Sequence, residues 1–298
     1  MPELPDLTVY VEQLQRRLIG ETLQNVRLAS PFVLRTVTPT LDAMQGRRLL
    51  AVRRLAKQLV FELEDEHFIV LHLMISGRLQ WREAAQPPAA VPKRLGLLAM
   101  DFAVGTVLFT EASKNKRASL RCVAGTQALA ELDPGGLEVQ AIDLAQFSER
   151  LHSANHTLKR ALTDQKVFAG IGNAYSDEIL HRAGLSPFKR ASTLKEPDTQ
   201  RLYDAIHTVM AEWTERLRAA AGERFPAKVT AFHDEMAVHG KYRQPCPVCA
   251  APVQRIAYAE NESNYCARCQ TGGKVLADRS LSRLLKDNWP RRIEELES

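Results

Sequence analysis

The chain has 298 residues, 45% hydrophobic and 25% charged, with 40 Lys+Arg against 35 Asp+Glu and a net charge of +5. This is globular composition, which excludes wholesale disorder and collagen-like repeats, and the length suggests about two domains. No apolar run reaches the roughly 18 residues of a membrane helix, and the start Met1-Pro2-Glu3-Leu4-Pro5-Asp6 is acidic and Pro-rich rather than a secretory signal, so a cytosolic protein with no membrane partner is expected.

The first predicted element is a helix after Pro5. Asp6 can cap it, Leu7, Tyr10, Val11, Leu14 and Leu18 recur at helical spacing, and Gly20 supplies the stop. From about Thr22 to Val123 the texture is β-rich: Arg48–Val52, Gln58–Leu63, Phe68–Leu73, Leu97–Phe102, Thr106–Phe109 and Ser119–Val123, with turn signals such as Glu64-Asp65-Glu66 between them. Short strands in series predict an antiparallel sandwich or barrel. Asp133-Pro134-Gly135-Gly136 is the strongest breaker in mid-chain, and helical periodicity dominates from about Leu144 to Ala221. A third unit starts near Gly240, and Lys274–Ser298 reads as a basic helix with Leu281, Leu284 and Leu285 on one face. The expected class is therefore α+β and multidomain. Its parts are an N-terminal β-sandwich with a leading helix (1–132), a linker (133–143), a helical domain (144–239), a cysteine-bearing unit (240–271) and an extension (272–298).

Five cysteines in a reducing compartment need a reason other than disulfides. Cys246-Pro-Val-Cys249 and Cys266-Ala-Arg-Cys269 are sixteen residues apart. Each pair can place two thiolates on one ion from a tight turn, and two pairs complete a tetrahedron, so one structural Zn(2+) is expected, holding Ala250–Tyr265 as a β-hairpin. Cys122 stands alone in an apolar stretch and carries no functional reading. Such zinc hairpins serve DNA, RNA and protein binding alike.

Between two helical patterns lies Gly170-Ile171-Gly172-Asn173. Glycines let backbone approach a partner closely, and exposed amides at a helix start suit a phosphate, with Asn173 as cap or donor. Taken alone, an ordinary helix–helix turn explains the segment equally well.

Taken together, Pro2-Glu3-Leu4-Pro5, Lys57 in Leu55-Ala56-Lys57-Gln58-Leu59, His72-Leu73 through Ser76-Gly77, the segment Asp164–Leu180 and the four-cysteine finger occur in the order of one family. Over about residues 1 to 270 the sequence resembles the bacterial formamidopyrimidine-DNA glycosylase / endonuclease VIII family. The resemblance implies a β-sandwich, a helix–two-turn–helix domain and a zinc-finger hairpin. It also implies a monomer that binds double-stranded damaged DNA in a cleft between domains and flips the damaged nucleotide out of the stack. It makes Pro2 the nucleophile once Met1 is removed. A terminal amine titrates near about 7.7–8.0, so a useful fraction is unprotonated at neutral pH. Glu3 becomes the acid/base partner at the sugar ring oxygen or the leaving group. Lys57 is expected on a phosphate beside the lesion, Lys159 near the DNA, Gly170, Gly172 and Asn173 on the backbone, Ile75 at the gap left by the flipped base, and Lys116 and Arg117 on the phosphate backbone or in that gap. Without the resemblance, Pro2 reads as a mobile terminus, Glu3 as a surface carboxylate, Lys57 as an exposed strand lysine and Ser113–Arg117 as a solvated charge run. His72 reads as a satisfied core residue.

The sequence also departs from the family. Asn261 stands where the family's finger carries an arginine, within Ala259-Glu260-Asn261-Glu262, and an acidic hairpin facing phosphates is unfavourable. Ile75 stands where methionine is frequent, Arg117-Ala118 replaces an Arg-Phe pair, and Arg224–Val238 is too short for a long capping loop. Lys274, Arg279, Arg283, Lys286, Arg291 and Arg292 could widen a DNA footprint, or the tail could pack back on its domain. The functional reading is a bifunctional DNA glycosylase and abasic-site lyase acting on oxidised bases. The alternatives are a damage-binding protein with little catalysis and, more remotely, a zinc-ribbon RNA binder.

Overall fold

The computed structural model describes residues 1–226, 229–230, 232–258, 261–277 and 290–297, side chains 258, 261 and 297 apart. Asn261 is therefore placed by its backbone only, and Leu281, Leu284, Leu285, Arg279, Arg283 and Lys286 lie outside the described residues. The chain forms two compact units, Met1–Pro134 with Trp213–Thr230, and Gly135–Glu212 with Ala231–Ser298.

The first unit opens with helix α1 (Leu4–Leu18), one turn earlier than Asp6 as a cap would give. Glu3 takes the cap position. The Asp6 carboxylate reaches back and accepts the Glu3 amide at 2.9 Å, as the third residue of a capping box does. Eight strands follow: β1 (Asn25–Leu28), β2 (Leu49–Leu55), β3 (Gln58–Leu63), β4 (His67–His72), β5 (Gly77–Glu83), β6 (Gly96–Phe102), β7 (Gly105–Glu111) and β8 (Ser119–Ala124). They make two antiparallel sheets, ordered β1-β6-β7-β5 and β2-β3-β4-β8. One core joins both sheets to α1, with Leu7, Tyr10, Leu14 and Leu18 of the helix against Phe61, Ile69, Leu98 and Phe109 of the strands.

The outer face of the second sheet is apolar as well. Val60, Phe68, Val70 and Val123 are covered by helix α2 (Thr126–Ala130) through Leu129. Burial on both faces explains why β3 holds the consecutive apolar residues Leu59, Val60 and Phe61 instead of an alternation. The segment after residue 213 returns to this unit: Phe225 packs on Tyr10 with ring centroids 5.5 Å apart, and Val229 is buried in the same core.

The second unit holds α3 (Leu144–Ser153), α4 (Leu158–Thr163), α5 (Asn173–Ala183) and the first part of α6 (Glu196–Ala221). Short strands β9 (Leu137–Glu138) and β10 (Phe168–Ala169) pair in parallel. The Phe147 and Phe168 rings stack at 5.0 Å behind them. The antiparallel hairpin β11 (Gln254–Tyr258) and β12 (Asn261–Tyr265) leads into α7 (Ala267–Thr271). The described ends of the tail pack back on this finger. Lys274 bridges Arg292, the Ile293 amide donates to the Gly273 carbonyl at 2.8 Å, and Ile293 is fully buried. No helix among the described residues is long and apolar enough to cross a membrane.

Candidate nucleic-acid interface and active site

In the first unit the N-terminus is held down. Pro2 and Glu3 are buried, and Tyr10 fixes the helix from which they project: its hydroxyl and the Leu79 backbone lie 3.3–3.4 Å apart. Glu3, Asp6 and Tyr10 share one helical face, which is thereby laid against Arg78–Leu79 of β5. Burial lowers the terminal ammonium's pKa. Glu3 and Asp6 oppose that shift, while Arg78 and Lys57 add to it. Burial also pushes the Asp6 carboxyl up to about 7, against the lowering effect of the Glu3 amide. The site thus combines a Met1 amine that sheds its proton readily with an Asp6 carboxyl that burial makes slow to lose its own. Lys57 occupies the tight turn between β2 and β3, after Ala56 at φ +50°.

His72 is half-buried. Its Nδ1 accepts the Met74 amide at 3.0 Å, and burial, with Lys57 and Arg121, lowers its pKa to about 4. It is therefore a neutral, satisfied imidazole. Cys122 is buried and its thiol is pushed up to about 11, which makes it inert.

Ile75 projects from a tight turn and is 53% exposed. A Cβ at Gly77 would lie 2.2 Å from the Leu73 carbonyl oxygen, so this turn requires glycine. Sequence reasoning missed what braces it. Glu111, 2% exposed, accepts the Arg117 amide at 3.0 Å, the Ala118 amide at 3.2 Å and the Ser76 hydroxyl at 3.3 Å. One buried carboxylate thus ties the Ile75 turn to the Lys116–Arg117 loop. Only its position at the end of an apolar strand could have drawn attention to it. Lys116 donates to the Arg94 carbonyl at 3.2 Å, and Arg117 is exposed.

In the second unit, Gly170 sits at φ +85° and Gly172 precedes the first residue of α5, Asn173, which is half-exposed. Gln165 supports the turn: its amide donates to the Ile171 carbonyl at 2.8 Å and its oxygen accepts the Gly170 amide at 2.9 Å. Lys159 is not free to meet a phosphate directly. Its ammonium donates to the Asn173 carbonyl and to Asp177, both at 2.6 Å, and its side chain is 12% exposed. Asp177 is fully buried and also accepts from His239 Nδ1 (2.8 Å), the Ser263 hydroxyl (3.3 Å) and the Asn264 backbone (3.1 Å) and side-chain (3.3 Å) amides. Burial opposes its ionisation, but the Lys159 charge and the His239 hydrogen bond outweigh it and hold the carboxyl below the usual range. Next to it, Glu178 accepts the amides of Ala237, Val238 and His239 at 2.7–2.9 Å. These two carboxylates join the glycine turn to the base of the finger, and no sequence spacing announces them.

The four finger cysteines converge. Their sulfur atoms all lie within 4.8 Å of one another, with Cys246–Cys269 at 3.9 Å and Cys249–Cys266 at 3.4 Å. Four sulfurs at about 2.3 Å from one tetrahedral ion stand just under 4 Å apart, so this set fits one structural zinc and leaves no ligand position for a substrate. His181 Nε2 lies 3.2 Å from the Cys246 sulfur and can donate to a metal-bound thiolate.

Comparison with known proteins agrees with this arrangement. Residues 1–115 match the family model for the formamidopyrimidine-DNA glycosylase N-terminal domain, 133–221 that for its H2TH domain, and 243–272 the zinc finger found in FPG and IleRS. A formamidopyrimidine-DNA glycosylase of Thermus thermophilus is 32% identical over 288 residues, covering 92% of this chain and all of the relative. Among solved structures, wild-type Lactococcus lactis Fpg (MutM) bound to an oxidised-pyrimidine-containing DNA superposes with a TM-score of 0.77. It is 25% identical and covers 91% of this chain and all of that one. MutM in complex with DNA containing carbocyclic 8-oxo-G gives a TM-score of 0.78 at 25% identity, with the same coverage.

Proposed function

The chain belongs to the formamidopyrimidine-DNA glycosylase family, and we propose that it is a bifunctional DNA glycosylase and abasic-site lyase of base excision repair, acting on oxidised bases in duplex DNA. The observation that supports the reading is the burial of Pro2 and Glu3 at the head of α1, where Asp6 accepts the Glu3 amide at 2.9 Å and the Met1 amine is affected first by burial and then by Glu3, Arg78, Asp6 and Lys57. A mobile terminus would have none of this surround.

With Met1 removed, Pro2 presents a secondary amine. Its nitrogen attacks the anomeric carbon, the bond to the base breaks, and the base leaves with a proton. Glu3 is the group we assign to deliver that proton, or to protonate the ring oxygen. The resulting iminium is cationic because the amine is secondary. It acidifies the adjacent sugar proton, whose loss expels the 3′ phosphate and breaks the strand. A cleft of about 330 Å³ beside Asp6, walled by Val9, Leu217, Phe225 and Val229, offers the displaced base an apolar berth. Lys57 is assigned to a neighbouring phosphate, as are the Gly170–Asn173 turn and the amides at the start of α5. In this reading Lys159 acts indirectly, by fixing Asn173. The zinc supplies no chemistry beyond holding the hairpin.

Sodium borohydride trapping on a duplex with a single abasic site tests the lyase step. Wild type should cross-link and Pro2→Gly should not; cross-linking by both, or by neither, rules out the mechanism. A panel of single-lesion duplexes then assigns the base. The acidic finger, with Glu262 beside Asn261, favours one second reading: a protein that binds damage with little turnover. Lesion-selective binding without base release across the panel would establish that instead.

A further inference from the structure

Asp177 engages His239, Ser263 and Asn264 of the finger, whereas Tyr242, Arg243 and Arg255 are exposed on its surface and take no part in that network. Lys241–Gln244 forms a tight turn in which the Gln244 amide donates to the Lys241 carbonyl at 2.8 Å. The turn is pinned to the finger by two further backbone hydrogen bonds, Arg243 to Val253 and Val253 to Gln244, both 2.9 Å. Its third position has φ +66°, the left-handed region that turns of this kind normally give to glycine. Here it is Arg243. The guanidinium of Arg243 lies over the Tyr242 ring, 5.2 Å from its centroid, and that of Arg255, from β11, lies over the same ring at 4.6 Å. Tyr242 is 37% exposed and the Arg255 side chain 45% exposed. Among the described residues, Glu262 pairs with Arg255 at 3.7 Å.

A side chain stands where the backbone favours glycine, and two guanidinium groups lie against one ring while remaining exposed to water. The ring's negative face attracts each guanidinium and holds it in place. Phosphate oxygens accept strongly from guanidinium N–H groups, so the exposed edges of these forks suit a chain of phosphates. The hairpin tip itself is poorly suited to such an anion, since its sequence Ala259-Glu260-Asn261-Glu262 has two acidic residues and no basic one.

We propose that Tyr242, Arg243 and Arg255 form a grip for the phosphate backbone of duplex DNA. The inference rests on the reading of the chain as a duplex-DNA enzyme. It concerns affinity and register, not the lesion or the chemistry. Such contacts are blind to sequence and strongly dependent on salt.

The test uses the zinc-loaded full chain and a fluorescent duplex carrying a tetrahydrofuran abasic-site analogue, with affinity measured by anisotropy from about 50 to 200 mM salt. Arg243→Gly restores the residue the turn prefers, so its melting temperature should equal or exceed that of wild type, and lost binding cannot be put down to misfolding. Arg255→Gln keeps the stem but removes the charge. Each variant should lower the slope of log affinity against log salt by about 0.9, which shrinks the salt response about 3.5-fold over that range, and the double variant should lose about twice as much. Unchanged slopes in both single variants would overturn the proposal. So would a loss confined to structured RNA run in parallel. Borohydride trapping of wild type is scored separately: its failure would sink the lyase reading, while the binding slopes would still decide this one.

Discussion

Asp6→Asn should stabilise the protein in a way that depends on pH. Burial raises the Asp6 carboxyl from 3.8 to about 7. Below about pH 4 it is protonated in folded and unfolded chains alike, and ionisation contributes nothing. Between about pH 4 and 7 the unfolded chain releases the proton while the folded chain keeps it, so wild type loses about 1.4 kcal/mol per pH unit, up to about 4 kcal/mol in all. Above about pH 7 both are ionised and the loss is constant. Asparagine mimics the protonated side chain, and its carbonyl can still accept the Glu3 amide that Asp6 holds at 2.9 Å. Its advantage should therefore grow from near zero around pH 4 to a few kcal/mol around pH 8. Urea denaturation of zinc-loaded wild type and variant, side by side across that range, measures the gap. The thiolates titrate in both proteins and cancel. A gap that does not change with pH, or that closes as pH rises, would refute the burial argument for this end of α1.

Three further outcomes are expected. Metal titration of the chelator-stripped chain should take up one zinc per molecule, and Cys246→Ser should abolish it together with DNA binding, because the hairpin's core rests on the cysteine turns. Lys159→Met leaves Asp177 buried without its cation and should cost about 3 kcal/mol in urea denaturation; adding Asp177→Asn should recover part of that. Gly77→Ala forces a Cβ onto the Leu73 carbonyl, so it should displace Ile75 and weaken binding to an abasic duplex more than to intact DNA, measured by competition.

The elements most legible in the sequence are those whose pattern is complete within a few residues. The α1 stripe, the apolar runs of β3, β4 and β6, and the cysteine spacing all declare themselves locally. β5 does not: it opens on Gly77 and ends on exposed Arg82 and Glu83, so only its first half shows a buried alternation. β1 is four residues long and buries only Val26. In the candidate site, Pro2, Glu3 and Lys57 draw notice through a resemblance, whereas Glu111, Asp177 and Glu178 draw none. Their importance lies in donors brought in by the fold. Asp177, for example, collects Ser263 and Asn264 from a strand more than eighty residues away. Lys159 shows the converse failure: a cation near a phosphate-binding turn looks available until its buried partner is seen.

The return of Trp213–Thr230 to the first unit bears on how the protein is made. The sandwich emerges first from the ribosome, but the groups that close its core beside α1 are among the later ones. Phe225 packs on Tyr10, Gln13 donates to the Gly222 carbonyl at 2.9 Å, and Arg218 pairs with Glu12 at 2.6 Å. Until residue 230 is synthesised, the exposed flank of α1 has no cover, and the buried amino terminus is packed on an unfinished wall. A truncated chain ending at the glycine-rich break should therefore be a sticky fragment that needs a chaperone, not a small working domain.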